Sequence, residues 1–159
     1  MTGPAKLRRV MVMGIGNLLF KDDGAGIHAL RTLHETVCPP TDVDVELVDA
    51  ATSPDVSVYM DGSVDKLIIV DAVKSGGQPG VVYRFTPDVL ESEGNDVASV
   101  HNLTVRESLG LMRIAGTMPA EIVIIGVEPA DMAWGITLSP EVAAKIPEVV
   151  SAILHEIVS

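Results

Sequence analysis

The segment VMVMGIGNLLFKDDGAGIHAL, residues 10–30, constrains the fold more than any other part of the chain. It starts as an aliphatic run, passes through a glycine-containing loop, and continues with apolar residues at helical spacing. Two acidic residues, Asp22 and Asp23, stand where that helix should begin. In an open α/β sheet the first strand and helix usually frame a site at the strand's carboxyl end. The two aspartates are therefore the first candidates for chemistry.

Other aliphatic or alternating segments predict the rest of a sheet. The predicted strands are residues 8–14, 43–50, 67–73, 81–85 and 121–129. Helical patterns lie between or after them, at residues 23–37, 53–60, 99–115 and from Ser139 onward, and Pro147 should kink the last one. Thr86-Pro87 predicts a helical turn that opens an acidic loop reaching Ala98.

This order predicts an α/β fold, a three-layer α/β/α sandwich with a mostly parallel five-stranded sheet, because helical crossovers cover both faces of such a sheet. The connection at residues 74–80 is too short for a helical crossover, so the strand at 81–85 should be antiparallel. With 159 residues, we expect one domain covering 1–159.

The charge balance narrows the possible partners. There are 11 basic and 22 acidic residues, a formal net charge of −11, which would repel a nucleic-acid backbone. Cys38 is the only cysteine, so the chain cannot form an internal disulfide, and a reducing cytoplasmic setting is expected. No apolar run is long enough to predict membrane insertion.

The glycines after the first strand allow a dinucleotide-binding interpretation. Gly14 and Gly16 match the first two positions of G-x-G-x-x-G, and Asp49 ends the second strand where a ribose would bind. The third glycine position is Leu19, and the following aspartates would place negative charge near a pyrophosphate. Since only part of the motif is present, dinucleotide binding is kept as an alternative function.

Asp23, Asp71 and His101 suggest a different site. On the predicted fold all three can face one crevice, and two carboxylates with one imidazole form an open ligand set for a divalent transition metal such as nickel or zinc. Structural roles compete with this: an acidic residue can complement a helix N-terminus, Asp71 could cap a loop, and His101 could be a hydrogen-bonded core residue. Asp71 favours function, since a carboxylate in an aliphatic run is costly to bury without a partner. No G-x-S-x-G or H-E-x-x-H motif is present.

Several segments resemble the nickel-iron hydrogenase maturation endopeptidases. GIGNLLFKDDGAG resembles the family's opening motif, IIVDAV its central strand with an aspartate, and VHNLTVRESL its histidine helix, while IGVEP and TLSPEV resemble its closing elements. The resemblance covers nearly the whole chain. Because Asp23, Asp71 and His101 stand at the matching positions of these segments, the resemblance implies that they bind nickel.

The resemblance also implies an activity. The enzyme would remove the C-terminal peptide of a nickel-iron hydrogenase large-subunit precursor after nickel insertion, recognising nickel in the substrate and holding no tightly bound metal of its own. Asp23 or Asp71 could act as the base, although one carboxylate cannot easily be ligand and base together. An inactive hydrogenase-maturation chaperone is a further alternative.

One segment departs from the family pattern. Where the family commonly has D-G-G and a small hydroxyl residue after the second strand, this chain has Asp49-Ala50-Ala51-Thr52. Alanine adopts positive φ less readily than glycine, so this departure should affect the conformation of the loop.

Overall fold

The computed structural model of the protein describes residues 6–38, 40–52, 55–92, 98–99 and 102–159, with the backbone alone at 98–99 and 102–104. The strands in this part are β1 (Arg8–Gly14), β2 (Val43–Asp49), β3 (Lys66–Lys74), β4 (Val82–Phe85), β5 (Ala98–Ser99) and β6 (Glu121–Val127). The α-helices are α1 (Ala25–Thr36), α2 (Pro87–Glu91), α3 (Asn102–Ala115), α4 (Pro140–Ala143) and α5 (Ile146–Val158). Two 3₁₀ turns, Lys21–Gly24 and Val56–Tyr59, precede α1 and β3.

The main sheet has the strand order β2-β1-β3-β6-β4. The first four strands are parallel neighbours, and β4 pairs antiparallel with β6. The predicted fold class is therefore confirmed, including the antiparallel strand. The two-residue strand β5, which pairs antiparallel with the end of β3, was not predicted because so short a segment has no periodicity to recognise.

The aliphatic runs explain why the sheet is covered on both faces. Eight of the nine residues of β3 are buried, as a central parallel strand requires. Its alternate residues enter two separate cores: Ile68 and Val70 pack with residues of α1 and α5. Leu67 and Ile69 pack with residues of α3. The sheet is thus the middle layer of the predicted sandwich.

A cluster of charges stabilises the amino end of β3, opposite the edge where β1 and β3 end. The Lys66 ammonium is 1% exposed and lies 2.8 Å from the Glu156 carboxylate, which Arg84 also contacts. The hydrogen bond from Arg84 lowers the pKa of Glu156 to about 2, with Lys66 adding to the effect and burial opposing it. This buried carboxylate is balanced by cations of the same chain.

Two predicted helix boundaries are corrected by the structure. The first helix was expected from Asp23, but Asp22 and Asp23 lie in the 3₁₀ turn Lys21–Gly24, and α1 begins at Ala25. Ser99 was expected to cap the third helix, but it belongs to β5, and α3 begins at Asn102. Both errors arise because a helix-like pattern does not distinguish the helix from the turn or strand that leads into it.

The last predicted helix is two helices. Ser139 caps α4, as predicted, by accepting a hydrogen bond from the Val142 N–H. Pro147 does not kink a continuous helix; it stands in the first turn of α5, where its missing N–H has no intrahelical acceptor to lose. The helix expected at 53–60 is the 3₁₀ turn Val56–Tyr59, and Ser53-Pro54 lies outside the described residues.

The predicted turn at Thr86-Pro87 is confirmed as the start of α2. Across the described ranges, no helix combines the length and apolarity needed to span a bilayer.

Candidate active site

The loops that follow β1 and β2 meet beside β3 at one edge of the sheet. The Ile15 N–H donates to the Val70 carbonyl at 2.9 Å, and the Gly16 N–H donates to the Ala51 carbonyl at 2.9 Å. The turn Lys21–Gly24 also contacts β3. Strand carboxyl ends are where open α/β folds place their sites, so this edge is the candidate active site.

Asp23 lies in this edge with an incomplete set of hydrogen bonds. It is 6% exposed, and its Oδ2 accepts a hydrogen bond from the Asn17 N–H at 2.9 Å. Its Oδ1 is buried and has no donor among the residues that the structure describes. A buried acceptor without a donor costs about 1 to 3 kcal/mol, and more when it is charged. Asp23 is therefore placed to bind a group that comes from outside the described residues.

Gly16 permits the loop to pass over Asp23. Its φ is +142°, and a Cβ at this position would lie 1.8 Å from the Asp23 carbonyl oxygen. Only glycine fits such a close backbone contact. The glycines of the opening motif therefore serve the geometry of the loop.

The same loop has few N–H groups to offer a phosphate. Dinucleotide loops bind pyrophosphate with backbone N–H groups that have no partner within the protein. Here the N–H groups of Ile15, Gly16, Asn17 and Leu19 each donate within the chain, to Val70 O, Ala51 O, Asp23 Oδ2 and Asn17 Oδ1 respectively. This arrangement argues against the dinucleotide-binding alternative.

The adjacent Asp22 is saturated by donors. It is 0% exposed, and its Oδ2 accepts from the Ala130 N–H, the Asp131 N–H and the Ser139 hydroxyl at 2.8 to 2.9 Å. Its Oδ1 accepts from the Ser139 N–H at 2.8 Å. Asp22 thus joins the first loop to the segment before α4, and it complements the start of α4 instead of α1.

Asp71 lies inside β3 and not at its end, because the strand continues to Lys74. It is 2% exposed, faces Gly126 of β6 in the register, and its Oδ1 accepts from the Ala72 N–H at 2.8 Å. It shares a small, mainly apolar cavity with residues of β3, β4, α2, α3 and β6. A carboxylate in such surroundings is strongly desolvated, which is typical of functional groups.

His101 lies outside the described residues. On its two sides, Ser99 pairs with Val73, two residues beyond Asp71, and α3 begins at Asn102. Among the described residues no group of three or more His, Cys, Asp or Glu side chains is placed to hold a metal. Because the predicted ligand set includes His101, the set of Asp23, Asp71 and His101 stays a prediction.

Sequence reasoning missed the part played by the loop after β6. The Phe20 and Trp134 rings lie 4.5 Å apart, and Phe20 and Gly135 form an isolated parallel β-bridge. This loop is therefore fixed against the one that carries Asp23. The available signal was the single tryptophan in the chain, standing next to a glycine in a polar segment.

The sequence pattern of the hydrogenase maturation proteases matches residues 27–156. The chain belongs to this family. Hydrogenase expression/formation protein HupD of Bradyrhizobium diazoefficiens is 31% identical over 87% of this chain and 72% of its own length. Hydrogenase 2 maturation protease of Escherichia coli K12 is 27% identical over 92% of this chain and 88% of its own length.

Solved structures agree with the assignment. The hydrogenase-maturating endopeptidase HybD of E. coli superposes with a TM-score of 0.79 at 26% identity, over 93% of this chain and 91% of its own. The [NiFe] hydrogenase maturation protease HybD of Thermococcus kodakarensis gives 0.77 at 28% identity, over 94% and 99%. The predicted family and the predicted protease class of this hydrogenase maturation protease are both confirmed.

Proposed function

We propose that this protease removes the C-terminal peptide of a nickel-iron hydrogenase large-subunit precursor after nickel has been inserted, and that it recognises nickel in the substrate. The observation that carries the proposal is the buried Asp23 Oδ1, which has no donor in the described part of the chain, in a turn that contacts β3, the strand of the buried Asp71. We expect the reaction to take place in the cytoplasm, with no nucleic acid or membrane involved.

Asp23, Asp71 and His101 would hold the nickel that the precursor brings. Carboxylate oxygens and an imidazole suit a divalent transition metal, and three protein ligands leave coordination positions for the substrate. A cation delivered by the substrate would offset the charge that burial leaves on Asp23. We expect weak binding of metal in the absence of substrate, because three protein ligands leave the coordination of a free ion incomplete.

The two aspartates are also the candidate bases for cleavage. A general base must reach the attacking water while the scissile carbonyl is polarised, and nickel in the substrate would supply that polarisation. Asp23 has one oxygen engaged by the Asn17 N–H and the other unengaged by any described donor, so it can hold a proton or a cation at Oδ1. Asp71 would then act mainly as a ligand.

The proposal is tested by mixing the protein with nickel-loaded and nickel-free precursor and weighing the products by mass spectrometry. Cleavage of the loaded precursor alone is expected, and equal cleavage of both would refute nickel recognition. Binding of both precursors without any cleavage would indicate the chaperone alternative.

Asp71→Asn should abolish cleavage and keep the fold, because the amide retains the shape of the side chain but is a poor metal ligand. Asp42→Asn is the matched control, since Asp42 lies exposed in the turn before β2. Processing by Asp71→Asn at the rate of the control would remove Asp71 from the site. NAD should leave the melting temperature unchanged, since a ligand stabilises a protein only when it binds the folded state.

A further inference from the structure

The loop after β1 and the loop after β6 form one unit beside the candidate site. The Lys21 N–H donates to the Gly135 carbonyl at 2.8 Å, and the Gly135 N–H donates to the Leu19 carbonyl at 2.9 Å. The Lys21 ammonium also pairs with the Asp131 carboxylate. Together with the four hydrogen bonds to Asp22, these contacts fix the two loops against each other.

This unit presents large apolar side chains to solvent. Trp134 and Ile136 are each 72% exposed, and Leu19 is 51% exposed. The ring of the half-buried Phe20 packs against the Trp134 ring, at 4.5 Å between centroids. We call these four residues, Leu19, Phe20, Trp134 and Ile136, the apolar platform.

The backbone of the platform depends on a glycine, Gly135, next to Trp134. Gly135 has φ +154°, and a Cβ there would lie 3.0 Å from both Cγ and Cε of Lys21. The glycine therefore lets the lysine stem cross between the loops. Large exposed apolar side chains that a well-fixed backbone brings together are typical of a protein interaction site, and exposed tryptophans are enriched among the residues that dominate binding energy.

The platform adjoins the turn that carries Asp23. The Asp23 N–H donates to the carbonyl of Phe20, a platform residue, at 3.0 Å. A protein that brings a metal to the Asp23 carboxylate would therefore come close to the platform, since Phe20 and Asp23 belong to the same turn. A membrane is a poor alternative occupant, because a chain with a net charge of −11 is repelled by anionic lipid.

We propose that the apolar platform is the surface on which the hydrogenase large-subunit precursor docks, separately from the recognition of its metal. This inference rests on the proposed function, because it takes the same precursor as the partner. Docking would bury Trp134 and Ile136 and hold the precursor while its C-terminal region reaches the site. The platform should consequently contribute to the binding of the precursor, and hence to KM, more than to kcat.

Kinetics of single variants form the first test. Trp134→Ala should raise KM for the nickel-loaded precursor about 30-fold, the effect of losing a dominant interface residue, and leave kcat within about twofold. Ile136→Ala should act in the same direction, and Trp134→Phe should restore most of the affinity. Ile114→Ala is the control, since Ile114 is 87% exposed on α3 and belongs to neither loop.

A second variant moves the platform without removing an apolar side chain. Gly135→Ala should raise KM as well, because its φ of +154° is strained for alanine and the new methyl group meets the Lys21 side chain, so that the backbone next to Trp134 has to adjust. Melting temperatures of all variants show whether the fold is kept. Unchanged KM in folded Trp134→Ala and Gly135→Ala variants would overturn the proposal.

Binding can be observed without cleavage. Trp134 is the only tryptophan, so protease labelled with 5-fluorotryptophan gives one ¹⁹F resonance, while unlabelled precursor is silent. Nickel-free precursor should shift this resonance. A resonance that does not move when precursor is added, or that moves only with the concentration of the protease itself, would overturn the docking proposal.

The two proposals can fail separately. A shifted resonance combined with cleavage that does not depend on nickel would retain the platform and refute nickel recognition. Nickel-dependent cleavage, combined with a resonance that does not shift when precursor is added, would retain nickel recognition and refute the platform.

Discussion

The neighbouring residues Asp22 and Asp23 should respond to the same substitution in opposite ways. Both are buried carboxylates in the turn Lys21–Gly24, yet one is saturated by hydrogen-bond donors and the other is not. Changing each to asparagine preserves size and removes the negative charge. We expect Asp22→Asn to lower stability, and Asp23→Asn to abolish processing without lowering stability.

The expected loss for Asp22→Asn follows from its four hydrogen bonds. The amide can keep its oxygen at the Oδ2 position, where three donors converge, but its NH₂ group then faces the Ser139 N–H. One hydrogen bond to a charged acceptor is lost, worth about 1.5 to 3 kcal/mol, and two donors oppose each other. A loss of about 3 kcal/mol in the free energy of unfolding corresponds to a melting temperature about 6 to 12 °C lower.

Asp23→Asn has a different balance. The amide oxygen can accept from the Asn17 N–H in place of Oδ2, and the NH₂ group takes the position of an oxygen that has no donor among the described residues. A buried charge is removed and no described hydrogen bond is lost. The free energy of unfolding should stay equal to that of the wild type or rise by about 1 kcal/mol.

Both variants are compared by urea unfolding at pH 7 and by mass spectrometry of nickel-loaded precursor, with Asp42→Asn as control. An Asp23→Asn variant that is destabilised as much as Asp22→Asn, or that processes precursor at the rate of the control, would refute these roles of the two carboxylates.

Three further predictions concern stability. Ala51 has φ 47°, a left-handed conformation, so Ala51→Gly should raise the free energy of unfolding by about 0.5 to 1 kcal/mol in urea titrations, and a decrease would contradict the strain argument. Gly26→Ala would place a Cβ 2.2 Å from the Val70 carbonyl oxygen and should lower the free energy of unfolding by about 3 kcal/mol, measured by thermal unfolding. Gly110→Ala is the control, since it has open space around it and should not destabilise α3. Equal effects of the two substitutions would be inconsistent with the Gly26 contact. The pKa of Glu156 is lowered to about 2, so its contribution of about 3 kcal/mol to the free energy of unfolding is present above pH 4.5 and is lost as the pH falls toward 2. The difference in the free energy of unfolding between wild type and Glu156→Gln should therefore narrow between pH 7 and pH 3. A difference that stays constant over this range would exclude the titration.

The sheet could be predicted from sequence because its strands are aliphatic runs with clear ends. β1 was placed without error, and the strands β3 and β6 were placed to within about two residues, since burial on both faces forces continuous apolar segments. Elements shorter than two helical turns were less accessible. The 3₁₀ turn Lys21–Gly24 and the strand β5 depend on contacts with distant segments, such as the Asp131 carbonyl and Val73, that no local pattern contains.

The departure of this chain from the family glycines has a structural answer. Ala51 keeps the positive φ that a glycine would adopt, and its carbonyl accepts the Gly16 N–H. The alanine thus takes a left-handed conformation of the kind that glycine favours. A hydrogen bond that holds the loop over Asp23 explains why this strained conformation is kept, since releasing it would release Gly16 as well.

Buried carboxylates have different partners at the two edges of the sheet, and the difference bears on function. At the amino edge, Glu156 is neutralised by Lys66 and Arg84 of the same chain. At the carboxyl edge, Asp23 has no basic side chain within ion-pair distance in the ranges that the structure describes, and one of its oxygens lacks a donor there. A buried carboxylate left in this state destabilises the protein unless a cation joins it. Nickel carried by the precursor would supply that cation in the function proposed above.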